Sequence, residues 1–238
     1  MVLTARLVAK LSALGVVIAL IVGGFFVYRS DWNQGRVFME FVASRTAVDR
    51  AGIEQLMTTA REWEQKANAA VDSSALVEAA RHWKTMGDAY ALEYPRQKAI
   101  ALYEEAINRF GDNPTIYAAI GDTYKALAKY EEAEENYQRA ITIEPGQYTH
   151  YQKLATLYRY RMQAAPDKVL AVYATALERL IIGSPEIYKE RANYFEELGS
   201  YKAAAADWQA VVQLDPTNTG AKSEYDRLTV LAAQQSAK

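Results

Sequence analysis

One set of residues returns at a fixed interval, and it limits the fold more than any other feature of the chain. Trp83, Met86, Gly87 and Tyr90 are followed by Ala99, Tyr103 and Ala106; 34 residues on stand Tyr117, Ile120, Gly121 and Tyr124, then Ala133, Tyr137, Ala140 and Pro145. After another 34 come Tyr151, Leu154, Ala155 and Tyr158, with Tyr173 and Ala176 behind them. A last copy holds Tyr188, Ala192, Phe195, Ala204, Trp208, Val211 and Pro216. Within a copy the steps are three and four residues, so each group shares one face of a helix. A repeated unit of two helices cannot bury its apolar face alone and must stack on its neighbours. Small residues such as Gly87 and Ala99 let paired helices approach, and aromatic rings fill the space between neighbouring pairs. That assigns much of the surplus of 17 tyrosines to packing: Tyr90, Tyr103, Tyr117, Tyr124, Tyr137, Tyr151, Tyr158, Tyr173 and Tyr188.

The helix ends agree with the period. Asn113-Pro114 and Ser184-Pro185 each set a capping side chain before a proline at the first helical position, while Pro145 and Pro216 stop the preceding helices. The third copy is irregular: Tyr158 to Tyr173 is 15 residues against 13 for Tyr90 to Tyr103, so a longer turn around Gln163-Ala164-Ala165-Pro166 is expected to protrude. Before the copies, Ile53, Leu56, Ala60, Trp63 and Ala67 mark an amphipathic helix, and Phe38, Phe41 and Val42 suggest another. After them, Ala221, Tyr225, Leu228 and Leu231 mark a solubilising last helix, with the tail 234–238 frayed.

These residues resemble the tetratricopeptide repeat, and two copies keep its 34-residue spacing without a gap. The resemblance implies an all-α solenoid of about four helix-turn-helix repeats over about 80–113, 114–147, 148–184 and 185–218. A helical region at 29–79 precedes the array, and a capping helix and tail occupy 219–238.

The chain begins with a basic head, residues 1–10, carrying Arg6 and Lys10. Leu11 to Tyr28 then runs 18 residues without a charge, close to the roughly 20 that a bilayer core requires. Phe25, Phe26, Tyr28 and Trp32 fall where an interfacial aromatic belt would lie. A cleaved signal peptide would show a shorter apolar run and a small-residue cleavage site, and a core helix would show a polar face. The run is therefore read as a single transmembrane helix. Arg29, Arg36 and Arg45 after it nearly balance the head, but a short basic head before a long domain is the signal-anchor layout, which puts the soluble part outside the cytoplasm. Gly15, Ala19 and Gly23 recur every fourth residue and form a candidate surface for self-association.

Composition removes several functions. There are no cysteines and only two histidines, His82 and His150, so thiolate or multi-histidine metal sites are unavailable and no cofactor is expected. Without Arg6 and Lys10, 25 basic residues face 29 acidic ones, so nothing recruits nucleic acid. No phosphate-binding glycine loop, nucleophile elbow or His-Glu-x-x-His occurs, and the chain is not expected to be an enzyme.

In tetratricopeptide proteins the first helix of each pair lines a concave groove that binds peptides or helices. Carried onto this chain, that groove presents Lys84, Asp88, Asp122, Lys125, Gln152, Lys153, Thr156, Arg159, Lys189, Asn193 and Glu196. Lys125, Lys153 and Arg159 make its middle basic; Glu186, Glu190, Glu196 and Glu197 make its end acidic, a gradient suited to a ligand with acidic and basic ends. The family's clamp for chaperone C-termini does not fit, because Asp88 and Ala119 replace asparagines and Thr149 a lysine. The reading is a membrane-anchored scaffold for protein–protein interaction, a subunit or assembly factor of an envelope complex. The alternative is a structural membrane subunit acting through its transmembrane helix, with the repeats as a spacer.

Overall fold

The computed structural model describes residues 35–45, 47–70, 72–180 and 184–237. Regular structure among them is entirely helical: α1 over 35–43, α2 (Ala47–Ala70), α3 (Ser73–Ala89), α4 (Glu93–Phe110), α5 (Pro114–Ala126), α6 (Tyr130–Ile143), α7 (Tyr148–Tyr160), α8 (Pro166–Arg179), α9 (Pro185–Glu197), α10 (Tyr201–Leu214) and α11 (Thr219–Ser236). The run Leu11 to Tyr28, with Gly15, Ala19 and Gly23, lies outside the described residues. Among the described residues no helix is long and apolar enough to cross a membrane. The chain divides into two compact units, one ending at Leu102 and the other starting at Tyr103, within α4.

In the first unit, α2 packs along α3 and buries Ile53, Met57, Ala60 and Ala67. Leu56 and Trp63 are half-buried on the edges of that stripe. Trp83 donates its indole N–H to Glu64 Oε1 at 2.6 Å and meets Tyr94 edge-on, and Phe38 of α1 stacks on the same Tyr94 ring at 5.2 Å. Gly87 makes room for α4, since a Cβ there would stand 2.5 Å from Arg96 Cγ and 3.1 Å from the Arg96 amide nitrogen and the Leu92 carbonyl oxygen. Tyr90 is only half-buried, and its hydroxyl lies over Gly52 of α2. Beside α1 a cleft of about 410 Å³ is lined by Val37, Phe38, Phe41, Leu92 and Tyr94, and Val37 stays 58% exposed at its edge.

The second unit holds three complete helix pairs, α5–α6, α7–α8 and α9–α10, with α11 packed on α10. Tyr137, Tyr151 and Tyr173 are among its most deeply buried side chains, at 0–1% exposure. Their rings pack with small residues, and their hydroxyls find partners: Tyr137 donates to Asp122 at 2.7 Å and Tyr151 to the Pro145 carbonyl at 2.9 Å. That is the reason for tyrosine in place of phenylalanine, because a buried ring must have its hydroxyl satisfied. Gly121 makes room for the first of them: a Cβ there would stand 2.6 Å from the Tyr137 ring. At the far end, Leu228 of α11 is fully buried with Ala204 and Ala205, while the outer face of α11 is polar apart from the exposed Val230.

Turn chemistry follows from the helix ends. Three of the first helices, α3, α5 and α9, end in a three-residue turn whose middle residue is left-handed: Ala91 (φ 53°), Ala128 (φ 58°) and Gly199 (φ 69°). Each turn is closed by an amide reaching back five residues, as from Lys129 to the Tyr124 carbonyl at 3.0 Å, which satisfies a carbonyl that the helix leaves open. The turn after α7 differs. It keeps the bond from the Met162 amide to the Leu157 carbonyl, but the left-handed residue is Gln163 (φ 48°), further along. This turn does not simply protrude as the extra residues suggest. Met162 and Ala164 fold back and pack against the core, because both are apolar and the Ala164 amide is bonded to the Tyr158 carbonyl at 2.9 Å.

The capping expectation holds at one proline and fails at the other. Asn113 accepts from the amides of Thr115 at 2.9 Å and Ile116 at 3.3 Å. Ser184 makes no such cap; its hydroxyl is turned to Glu186, donating to Oε2 at 2.9 Å.

Two substitutions test this packing in opposite directions. Gly121→Ala is expected to lower stability by about 1–2 kcal/mol, since the clash with Tyr137 outweighs the helix propensity that alanine adds. Ala128→Gly is expected to raise it by about 0.5–1 kcal/mol by relieving a left-handed alanine. Urea unfolding followed by circular dichroism measures both.

Candidate functional site: the face of α5, α7, α9 and α11

The residues carried over from the repeat pattern do not form one uniform free surface. In the first unit Lys84 holds Asp88 at 2.5 Å, and Arg96 holds the other oxygen of Asp88 at 3.0 Å. The remainder lie in the second unit, on helices that polar bonds join in series.

Asp122 of α5 is the hub of the first junction. It accepts from Tyr137 at 2.7 Å, from Lys153 of α7 at 2.5 Å and from Lys125 at 3.2 Å. Burial alone would push its carboxyl up, but the ammonium of Lys153, the Tyr137 hydroxyl and Lys125 together hold it below the usual carboxylate range. The hydroxyl of Tyr137 is correspondingly driven far up by burial and by the Asp122 charge.

At the second junction the Gln152 amide of α7 bonds the Glu190 carboxylate of α9. Burial raises the Glu190 carboxyl, and the Gln152 amide and Arg159 oppose that rise. Alongside, Arg159 reaches Glu197 at 2.6 Å and the Tyr173 hydroxyl at 3.3 Å. At the third junction Glu196 takes a two-pronged bond from Arg227 of α11, both distances 2.8 Å. Thr156 and Lys189 are half-buried and Asn193 is exposed between these bridges.

The expected gradient from basic middle to acidic end is therefore corrected. Arg159 and Glu197, its opposite poles, are bonded to each other, and Gln152 and Glu190 tie the same two helices. Helices stacked side by side bring residues some 38 apart into contact, and opposite charges there neutralise within the chain before any ligand arrives.

Sequence reasoning missed the Arg191–Asp207 pair, a two-pronged bond at 2.7 and 2.8 Å with Asp207 buried at 4% exposure. The available signal was an aspartate directly before the repeat-position Trp208. Also missed were the rings around Arg159: its guanidinium carbon lies 4.8 Å from the Tyr160 centroid and 4.7 Å from that of Tyr194. Among the described residues no group of three histidine, aspartate or glutamate side chains is placed to hold a metal ion.

The Asp122 hub makes a pH prediction. Its folded-state carboxyl lies below the unfolded value of about 3.9, so its stabilisation is complete above that pH and is lost as pH falls through the folded value. Asp122→Asn is expected to cost about 1–3 kcal/mol at pH 7, with Lys153 left half-buried and unpaired, and progressively less below pH ~4. Urea unfolding of both proteins across that range measures the difference, and a gap independent of pH would exclude the ionised hub.

Comparison with known proteins identifies one stretch of the chain. Residues 114–147, which are α5, α6 and their flanking turns, match the tetratricopeptide repeat model. No curated protein matches in sequence. Among solved structures, MamA superposes with a TM-score of 0.53 at 14% identity, over 74% of this chain and 99% of its own. BtubC from P. vanneervenii gives 0.51 at 17% identity, over 82% of this chain and 94% of its own. MamA from Desulfovibrio magneticus RS-1, taken from residue 41 to its end, gives 0.50 at 13% identity over 78% and 97%. At such identities the likeness is one of fold. Residues 114–147 thus match a tetratricopeptide repeat, and the described residues around them share the all-helical fold of these structures.

Proposed function

We propose that this chain is a membrane-anchored scaffold that holds a protein or peptide partner on the face of α5, α7, α9 and α11 and catalyses no reaction. Tetratricopeptide repeats mediate protein–protein interaction, and the observation that carries the proposal is the series of interhelix bridges on that face: Asp122–Lys153, Gln152–Glu190, Arg159–Glu197 and Glu196–Arg227. They fix the first helices of successive pairs side by side, so Thr156, Lys189 and Asn193 are offered on a preorganised surface. The anchor is the uncharged run Leu11 to Tyr28, with the repeats outside the cytoplasm and the whole a subunit or assembly factor of an envelope complex. The exposed Val37 and Met39 of α1, which follow that run closely, suit a position near a lipid surface. Self-association through Gly15, Ala19 and Gly23 belongs to the same reading.

The extensive internal pairing of charges on the face favours one other reading, a spacer whose membrane helix makes the functional contacts. Thr156→Arg with Asn193→Arg separates the two. Both substitutions block the surface without breaking a bridge, so helix content and thermal unfolding should be unchanged. Crosslinking and affinity recovery of the full-length chain from native membranes should then lose partners at least about fivefold, given that central interface truncations cost about 1–2 kcal/mol or more. Undiminished recovery would leave the spacer reading standing.

A further inference from the structure

The ion pairs of the second unit differ in which partner is buried. In Arg191–Asp207 the anion is enclosed, at 6% side-chain exposure. Asp122 and its two lysines are comparably covered, at 24%, 33% and 28%. Arg227 and Glu196 are both near the surface, at 43% and 33%. Arg159–Glu197 is lopsided: the arginine side chain is 9% exposed and the glutamate 54%.

The arginine is also held in a way that its counter-ion is not. Its guanidinium lies against the rings of Tyr160 and Tyr194, its Nη1 donates to the Tyr173 hydroxyl, and its Nε is buried with no partner. Glu190, the other carboxylate facing it, is occupied by the Gln152 amide. A nearly buried cation with an orphan donor requires an anion, because leaving a buried charge unpaired is costly. Nothing requires that anion to be Glu197, which stands at the solvent edge at the last position of α9. Replacing it by another carboxylate keeps the Coulombic attraction and returns rotamer freedom to the released glutamate. Next to the pair, Tyr160 is 59% exposed and offers a ring against which the apolar part of an incoming residue can lie.

We infer that Arg159 anchors a carboxylate-binding site on the α7–α9 face, which the chain fills with its own Glu197 until an acidic group of a peptide partner displaces it. The inference rests on the proposed partner surface and gives that partner a chemistry. The site lies apart from the positions of the chaperone clamp that the sequence excludes. It acts as an internal competitor: the partner must outbid Glu197, so weakly acidic or poorly fitting segments are refused.

The carboxylate could come from an acidic side chain or from a chain terminus, and three fluorescent peptides separate these sources. Acetyl-hexaglutamate amide carries side-chain carboxylates only, acetyl-hexaglutamine acid a terminal one only, and acetyl-hexaglutamine amide neither. Titrated by fluorescence anisotropy against the full-length chain in detergent, Glu197→Gln should bind a carboxylate-bearing peptide about tenfold more tightly than the native chain, the scale of one charge-assisted hydrogen bond. Arg159→Gln in the Glu197→Gln background should fall to the level of the uncharged peptide, and Arg159→Lys should lie between. The Glu197→Gln comparison leaves Arg159 untouched and decides the matter even where Arg159→Gln does not fold. Equal affinities of native chain and Glu197→Gln for both carboxylate peptides, or equal binding of the uncharged one, would overturn the assignment. That result would leave the partner surface intact, since the latter stands or falls on recovery by the Thr156→Arg, Asn193→Arg chain.

Discussion

The first helix pair of the second unit is built on a tyrosine ring laid over a position with no side chain. Tyr137 is fully buried against Gly121, and the contact is close enough that one methyl group would not fit. A buried ring of this size removes about 150–250 Å² from water, which at about 25 cal/mol per Å² is on the order of 4–6 kcal/mol before ordering costs. The same side chain ends in a hydroxyl that must be satisfied, and Asp122 satisfies it. Apolar packing between the two helices of a pair thereby fixes a carboxylate on the first helix. That carboxylate then draws in Lys153 from the next pair. One residue type sets both the spacing within a pair and the bridge between pairs.

This coupling explains why the polar face is not an independent layer that can be altered freely. A charge reversal at Lys125 or Lys153 would reach the Tyr137 hydroxyl through Asp122 and disturb the core. Thr156 and Asn193 carry no such link in the described network, and that difference, not their position along the face, makes them the cleaner probes of binding.

The period of the sequence made the helix pairs, their small-residue contacts and the polar character of the face legible, because each depends on spacing along a single helix. Asn113 as a cap and Pro145 and Pro216 as stops were legible for the same reason. What escaped were contacts between residues from different helices. The pairing of Arg159 with Glu197 depends on the lateral offset of α7 and α9, which no local pattern encodes. Ser184 looked like a cap by its place before Pro185, but its side chain is turned to Glu186 two residues on. The turn after α7 was readable in length and not in direction, since Met162 and Ala164 could be judged apolar but not seen to have a core within reach.

The origin of the unusual arginine can be followed by comparing one repeat position. Asp122 in α5 corresponds to Thr156 in α7 and to Asn193 in α9; the packed ring opposite is Tyr137, Tyr173 and the partly buried Trp208 in turn. Where aspartate and tyrosine coincide, the hydroxyl and carboxylate close on each other and the pair is a sealed structural bond. In the second pair the carboxylate is gone while the hydroxyl remains, and Tyr173 finds Arg159 one turn further along α7. In the third pair the hydroxyl is gone as well, and the Trp208 indole N–H is left buried without a partner. The repeat preserves the apolar requirement at this position and lets the polar one drift. The middle copy is where that drift leaves a cation committed to the interior and an anion free to leave it.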